Sequence, residues 1–184
     1  FSPKSNATEE EKISYNKELL SFTKGYNQQI ADSLTYFPGR TNDSIPSFVY
    51  AHLLMPHFPY FFDSTGRAYP EKEVYGNMMI KDKAKFRNYI SYTDKKITGI
   101  IQSLLQKKGS NSIIIVQSDH GLSDFDKTRK QDAFRNYSAF YFPDGDYSQL
   151  YPGMSNVNTF RIVLNKYFGQ QLPLLKDSSV YIRQ

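Results

Sequence analysis

Three histidines, at positions 52, 57 and 120, are the only imidazoles in this 184-residue chain. The third stands in Ser118-Asp119-His120-Gly121, where a carboxylate and an imidazole occupy adjacent residues. Adjacent residues reach one divalent ion only if the backbone turns sharply, and glycine at the next position permits the turn and the close approach of another chain or a ligand. Asp supplies a hard oxygen and His a borderline nitrogen, a pair suited to Zn²⁺, Mn²⁺ or Mg²⁺. The competing reading is a plain strand-to-loop turn with a solvated carboxylate. His57 lies between Pro56 and Pro59, whose rings stiffen the segment around the imidazole. His52 sits five residues earlier, inside an apolar run, where a satisfied core histidine is the alternative to a ligand. Lys127, Arg129 and Lys130 follow the Asp-His-Gly turn. Of these Arg129 is the candidate oxyanion clamp, because a guanidinium offers a planar fork of donors. Lys81, Lys83, Lys85 and Arg87 read instead as a solvated helix face.

These groups need elements to position them. Thr8 and Glu11 form a capping-box pattern at the start of a helix predicted to run to about Tyr36, with Leu19, Phe22, Tyr26, Ile30 and Leu34 at helical spacing. Residues 47–55 (SFVYAHLLM) read as a buried strand, followed by a long aromatic loop over 56–70. Residues 77–108 read as a helix with Ile90, Ile97, Ile101 and Leu104 on its buried face and Gly109 as its stop. Residues 112–117 (SIIIVQ) and 137–142 (YSAFYF) read as further strands. A last helix is capped by Ser155 or Asn156 and ends at Gly169, before a tail of coil with a short strand at 180–182. The fold class is α/β: a partial, largely parallel sheet flanked by helices. A long crossover helix between two strands normally makes them parallel, which brings all three histidines to one carboxyl edge, where ligands of open α/β sheets bind. Residues 1–46 form an amino-terminal helix and connection, and 47–184 the remainder of one structural unit.

Composition narrows the class. Hydrophobic residues make up 39% and charged residues 22%, a globular balance. Cysteine is absent, which removes disulfides, thiolate metal sites and cysteine nucleophiles. A net charge of +5 suits anionic substrates and is too weak to argue for nucleic acid. The chain opens at Phe1 with no apolar leader, so it reads as a piece of a longer protein.

The run from Ile113 to Gly121 (IIIVQSDHG) resembles the metal-binding strand end of the alkaline phosphatase superfamily, and more narrowly its sulfatase-like branch of bacterial sulfatases, lipoteichoic acid synthases and phosphoethanolamine transferases. Residues 48–59 (FVYAHLLMPHFP) are similar to the upstream "H…PH.P" segment of that branch, and residues 155–175 resemble its carboxyl-terminal part. The resemblance implies an alkaline-phosphatase-like sheet and a divalent metal, Zn²⁺, Mn²⁺, Mg²⁺ or Ca²⁺, that activates a Thr, Ser or formylglycine nucleophile against a sulfate or phosphate ester of a glycan or lipid. Asp119 and His120 correspond to metal ligands, and His57 to a second-metal or substrate-contacting residue. His52 and Arg129 join it as substrate-side candidates. An extracytoplasmic location and a membrane-anchored parent are further implications. The family's amino-terminal nucleophile and acidic ligand have no counterpart ahead of Ser47. Ser44-Ile45-Pro46-Ser47 is followed by Phe48, where the nucleophile motif carries Arg. The expectation is therefore a chain inactive by itself. The alternative is a non-catalytic module that keeps the fold and binds anionic glycans or lipid headgroups.

Overall fold

The computed structural model describes residues 6–37, 45–76, 82–108, 111–122, 125 and 130–180. The chain divides into two compact units, Phe1–Gly109 and Ser110–Gln184.

The first unit is built on two long helices. Helix α1 spans Glu9–Tyr36. Its start follows the sequence: Glu11 N–H donates to the Thr8 hydroxyl at 3.2 Å and Thr8 N–H to the Glu11 carboxylate at 2.7 Å, satisfying two otherwise orphaned donors. Its buried face differs from the expected one. Asn27 and Ala31 are buried, whereas Leu19 and Phe22 are exposed. The helix face turned inward carries the half-buried Asn16 and the buried Asn27, which bond backbone of the segments packed on it. Asn16 Nδ2 donates to the Tyr75 carbonyl at 2.6 Å, and Asn27 Oδ1 accepts from Leu54 N–H at 2.7 Å. Helix α2 spans Lys83–Lys108. Asp82 caps it by accepting from the Ala84 and Lys85 amides at 2.7 and 3.1 Å. Tyr89, Thr93 and Ile100 are its buried residues, a register shifted from the predicted isoleucine face.

An aromatic core fills the space beside these helices. Tyr60 and Phe61, from the long loop, pack on Tyr89 with ring centroids 6.0 and 6.4 Å apart, and Phe61 meets Tyr75 of the π-helical turn Lys72–Gly76 at 6.4 Å. The predicted strand at 47–55 is not formed. Residues 45–52 carry no regular secondary structure, pair with no strand among the described residues, and are exposed, Phe48 and Tyr50 at 79% each. An apolar run becomes a buried strand only where a neighbouring strand takes its N–H and C=O groups.

The second unit holds the only sheet among the described residues. Strands β1 (Ile114–Gln117) and β2 (Ser138–Tyr141) stand where the sequence placed them. They pair antiparallel, from Ile114 opposite Tyr141 to Gln117 opposite Ser138. The largely parallel sheet is thus absent from the described residues, and what stands is a mixed α/β chain with a two-stranded ribbon. Helix α3 (Thr159–Tyr167) follows a 3₁₀ turn at Asn156–Asn158. Gly169 ends it at φ +64°, a left-handed conformation that glycine adopts without a Cβ clash.

The coil tail is bonded to α3 and to the turn ahead of it at several points between Gln170 and Asp177. Asn158 Oδ1 accepts from Leu175 N–H at 2.8 Å while its Nδ2 donates to the Leu175 carbonyl at 2.9 Å. Two helical turns on, Asn165 does the same with Leu172, at 2.7 and 2.9 Å. Each side-chain amide reads the backbone as a neighbouring strand would. Asp177 completes the clasp by accepting from the Ser155 hydroxyl and amide and from Tyr151, at 2.6 to 2.7 Å. Those bonds, the Ser155 hydroxyl first, lower its pKa to about 2.

Candidate functional site

Asp119 and His120 leave the end of β1 in a turn held at both ends. Ahead of it, Ser118 is bonded to Tyr137 twice: its N–H donates to the Tyr137 carbonyl at 3.0 Å and its hydroxyl accepts from the Tyr137 amide at 2.7 Å. Behind it, Gly121 N–H donates to the Ala133 carbonyl at 2.8 Å. The sequence reading of Gly121 allowed for a sharp turn and a close approach. The close approach is what the structure uses, and the approaching chain is the 3₁₀ turn Lys130–Phe134 with the residue after it. A Cβ on Gly121 would collide with the Asp132 carbonyl and stand 2.5 Å from the Arg135 carbonyl oxygen. Its φ is not among the left-handed ones.

The His120 ring is oriented by its neighbour. Nδ1 lies 2.6 Å from the Gly121 carbonyl, which can only accept. In the neutral ring Nδ1 therefore holds the proton and Nε2 keeps its lone pair. A ligating histidine is commonly oriented by such a carbonyl bond on its other nitrogen. Nε2 lies 3.9 Å from Asp119 Oδ2, and both side chains are exposed. Asp119 Oδ1 accepts from His120 N–H at 3.0 Å, which leaves Oδ2 outward. Two ligands of a tetrahedral ion with bonds of ~2.1 Å stand ~3.4 Å apart. Rotation of the exposed Asp119 carboxylate covers the difference, so the pair fits as two ligands of one ion. Among the described residues no group of three His, Asp or Glu side chains is placed to hold a metal.

His57 is in the first unit, and its ring shows the same device. Nδ1 donates to the Phe58 carbonyl at 2.6 Å, and the ring stacks on Phe58 with centroids 4.3 Å apart. Its Nε2 is therefore the outward nitrogen. His52 is exposed in an irregular stretch, not enclosed in a core. The single described sheet carries only Asp119 and His120, so no described sheet edge collects all three histidines. Arg129, Lys127 and Ser44 lie outside the described residues.

Sequence reasoning missed the polar residues beneath the turn. Gln117, the last residue of β1, directs Nε2 at Ser138 Oγ (2.8 Å), Thr159 Oγ1 (2.6 Å) and Asn156 Oδ1 (3.2 Å). Asn156 Nδ2 donates to the Ser118 carbonyl at 2.9 Å, and its Oδ1 accepts from Asn136 at 2.5 Å. Asn156 read from sequence as a helix cap. No local pattern marks a side chain that bonds a carbonyl 38 residues earlier.

Beyond the turn, Lys166 is held between Asp144 and Asp146 at 2.8 and 2.6 Å, with its side chain 8% exposed. Hydrogen bonds donated to Asp144 and then Asp146 raise the Lys166 pKa, and both carboxylates are lowered in return. Tyr167, which donates to Asp144 at 2.8 Å, is pushed up to about 12, chiefly by burial. This cluster is internally paired and anchors the loop after β2 to α3.

A protein-family model described as Sulfatase matches residues 2–166 of the chain. No curated protein and no solved structure matches it.

Proposed function

The chain belongs to the sulfatase family, and on that premise we propose that Asp119 and His120 are ligands of a divalent metal in a site for sulfate or phosphate esters. The observation that carries this reading is the His120 ring: its Nδ1 is engaged by the Gly121 carbonyl, which presents Nε2 to solvent 3.9 Å from Asp119 Oδ2. When bound, a divalent ion there supplies Lewis-acid stabilisation of charge on the transferring sulfuryl or phosphoryl group. Asp119 and His120 hold and orient. His57, with Nε2 outward by the same carbonyl device, takes the role of a substrate or second-metal ligand, with His52 and Arg129 as further substrate-side groups. The preferred ester is one of a sulfated or phosphorylated glycan or lipid, in an extracytoplasmic setting with a membrane-anchored parent. Among the described residues no helix is long and apolar enough to cross a membrane.

The same proposal holds that the chain by itself does not turn over substrate, because no Ser or Thr ahead of Ser47 stands in a nucleophile motif. It also keeps the largely parallel sheet, supported by the edge of β1 that β2 leaves open among the described residues.

Calorimetric titration with Mn²⁺ and Zn²⁺ tests the reading. Wild type binds one ion, and Asp119→Ala loses that binding. Equal binding by the two proteins refutes the metal site. Absence of metal binding together with saturable binding of a sulfated glycan assigns the chain instead to the non-catalytic binding class.

A further inference from the structure

We infer that Asn156 is a positioning residue for the Asp119–His120 pair, an inference that rests on the metal-site reading above. Its Nδ2 donates at 2.9 Å to the Ser118 carbonyl, the oxygen of the peptide that enters Asp119. Its Oδ1 accepts from Asn136 Nδ2 at 2.5 Å and from Gln117 Nε2 at 3.2 Å. Gln117 closes β1, Asn136 lies just ahead of β2, and Asn156 opens the 3₁₀ turn into α3. One amide thus ties three elements to the exit of the strand.

The amide has only one orientation available. Reversed, it would set its oxygen against the Ser118 carbonyl and its NH₂ against two other NH₂ groups, leaving part-buried polar atoms unsatisfied. Ser118 is consequently held at all three of its polar groups: N–H and hydroxyl by Tyr137, carbonyl by Asn156. Gly121 is held by Ala133. The two residues between are anchored on both sides while their side chains stay in solvent. Fixed backbone under free ligand heads is the arrangement that preorganises a site.

The test uses the full chain and two readouts: the ring ¹⁵N resonances of His120 without metal, and Mn²⁺ affinity by calorimetry. Asn156→Ala is expected to weaken Mn²⁺ binding roughly 10–100-fold, the usual effect of losing an outer-shell partner, and to move the two ring nitrogens toward tautomer averaging. Asn165→Ala is the folding control. It releases the tail at Leu172, lowers the melting temperature and leaves both readouts unchanged. If Asn156→Ala does not fold, Asn136→Ala removes the donor that orients the amide and carries the same test. Wild-type ring resonances and wild-type Mn²⁺ affinity in the folded variant overturn the positioning role. A wild type that binds no Mn²⁺, with ring nitrogens that still respond to Asn156→Ala, overturns the metal reading and supports the positioning role.

Discussion

Replacing Gly121 by alanine places a methyl group in space already occupied by backbone. The new Cβ would overlap the Asp132 carbonyl oxygen and stand 2.5 Å from the Arg135 carbonyl oxygen and 2.8 Å from its carbon. None of these atoms is the free end of a flexible side chain, so the turn at 130–135 must shift as a whole. Overpacking of this kind costs about 1–3 kcal/mol. The shift also breaks the Gly121 N–H bond to the Ala133 carbonyl, worth about 1 kcal/mol net. The sum is about 2–4 kcal/mol, or a fall in melting temperature of roughly 5–15 °C for a chain of this size. Thermal unfolding followed by circular dichroism reads it. Gly145→Ala is the matched comparison. That glycine has φ +66° and no atom within 4 Å of an added Cβ, so alanine meets only the left-handed backbone penalty, about 1 kcal/mol. A Gly121→Ala protein that melts with wild type, or loses less than Gly145→Ala, refutes the close approach as the reason for glycine in this motif.

Three further outcomes follow from the clasp and the family reading. Asn158 is fully buried and bonds Leu175 through both ends of its amide, so Asn158→Ala should cost about 2–4 kcal/mol in urea unfolding, with Leu175 N–H left unpaired. Asp177 has a folded pKa of about 2, below its unfolded value near ~4. The clasp's contribution is therefore complete above the unfolded pKa and is lost as pH falls from ~4 toward ~2, and Asp177→Asn should flatten that part of the stability–pH curve. Incubated with 4-nitrophenyl sulfate or phosphate and Mn²⁺, the chain should release no nitrophenol above background; turnover at enzyme rates contradicts the missing-nucleophile proposal.

Local signals in the sequence were read correctly where local physics decides the outcome. The Thr8–Glu11 box, the two strands and the Gly169 stop are each set within a few residues. What escaped depends on distant partners. Residues 47–55 have the composition of a buried strand, and no described strand pairs with them. The α1 stripe differs from the expected one because Asn27 and Ala31 are its buried residues, with Asn16 and Asn27 bonding the backbone of Tyr75 and Leu54. The parallel pairing followed from a rule about crossovers between strands, and it had no force once the first strand was absent. The Ser-Asp-His-Gly turn after β1 is legible as a candidate because its carboxylate and imidazole are adjacent residues. The Gln117, Asn136 and Asn156 support is not, since each bond spans 20 residues or more.

The central claim is that His120 offers Nε2 to a metal it shares with Asp119. The most direct measurement is a Zn²⁺ titration of ¹⁵N-histidine-labelled protein, following the two ring nitrogens of His120. Metal-induced displacement of the Nε2 resonance, with Nδ1 still protonated and the change absent in Asp119→Ala, is the predicted result. Unchanged resonances at saturating Zn²⁺, or a displacement that persists in Asp119→Ala, would contradict it.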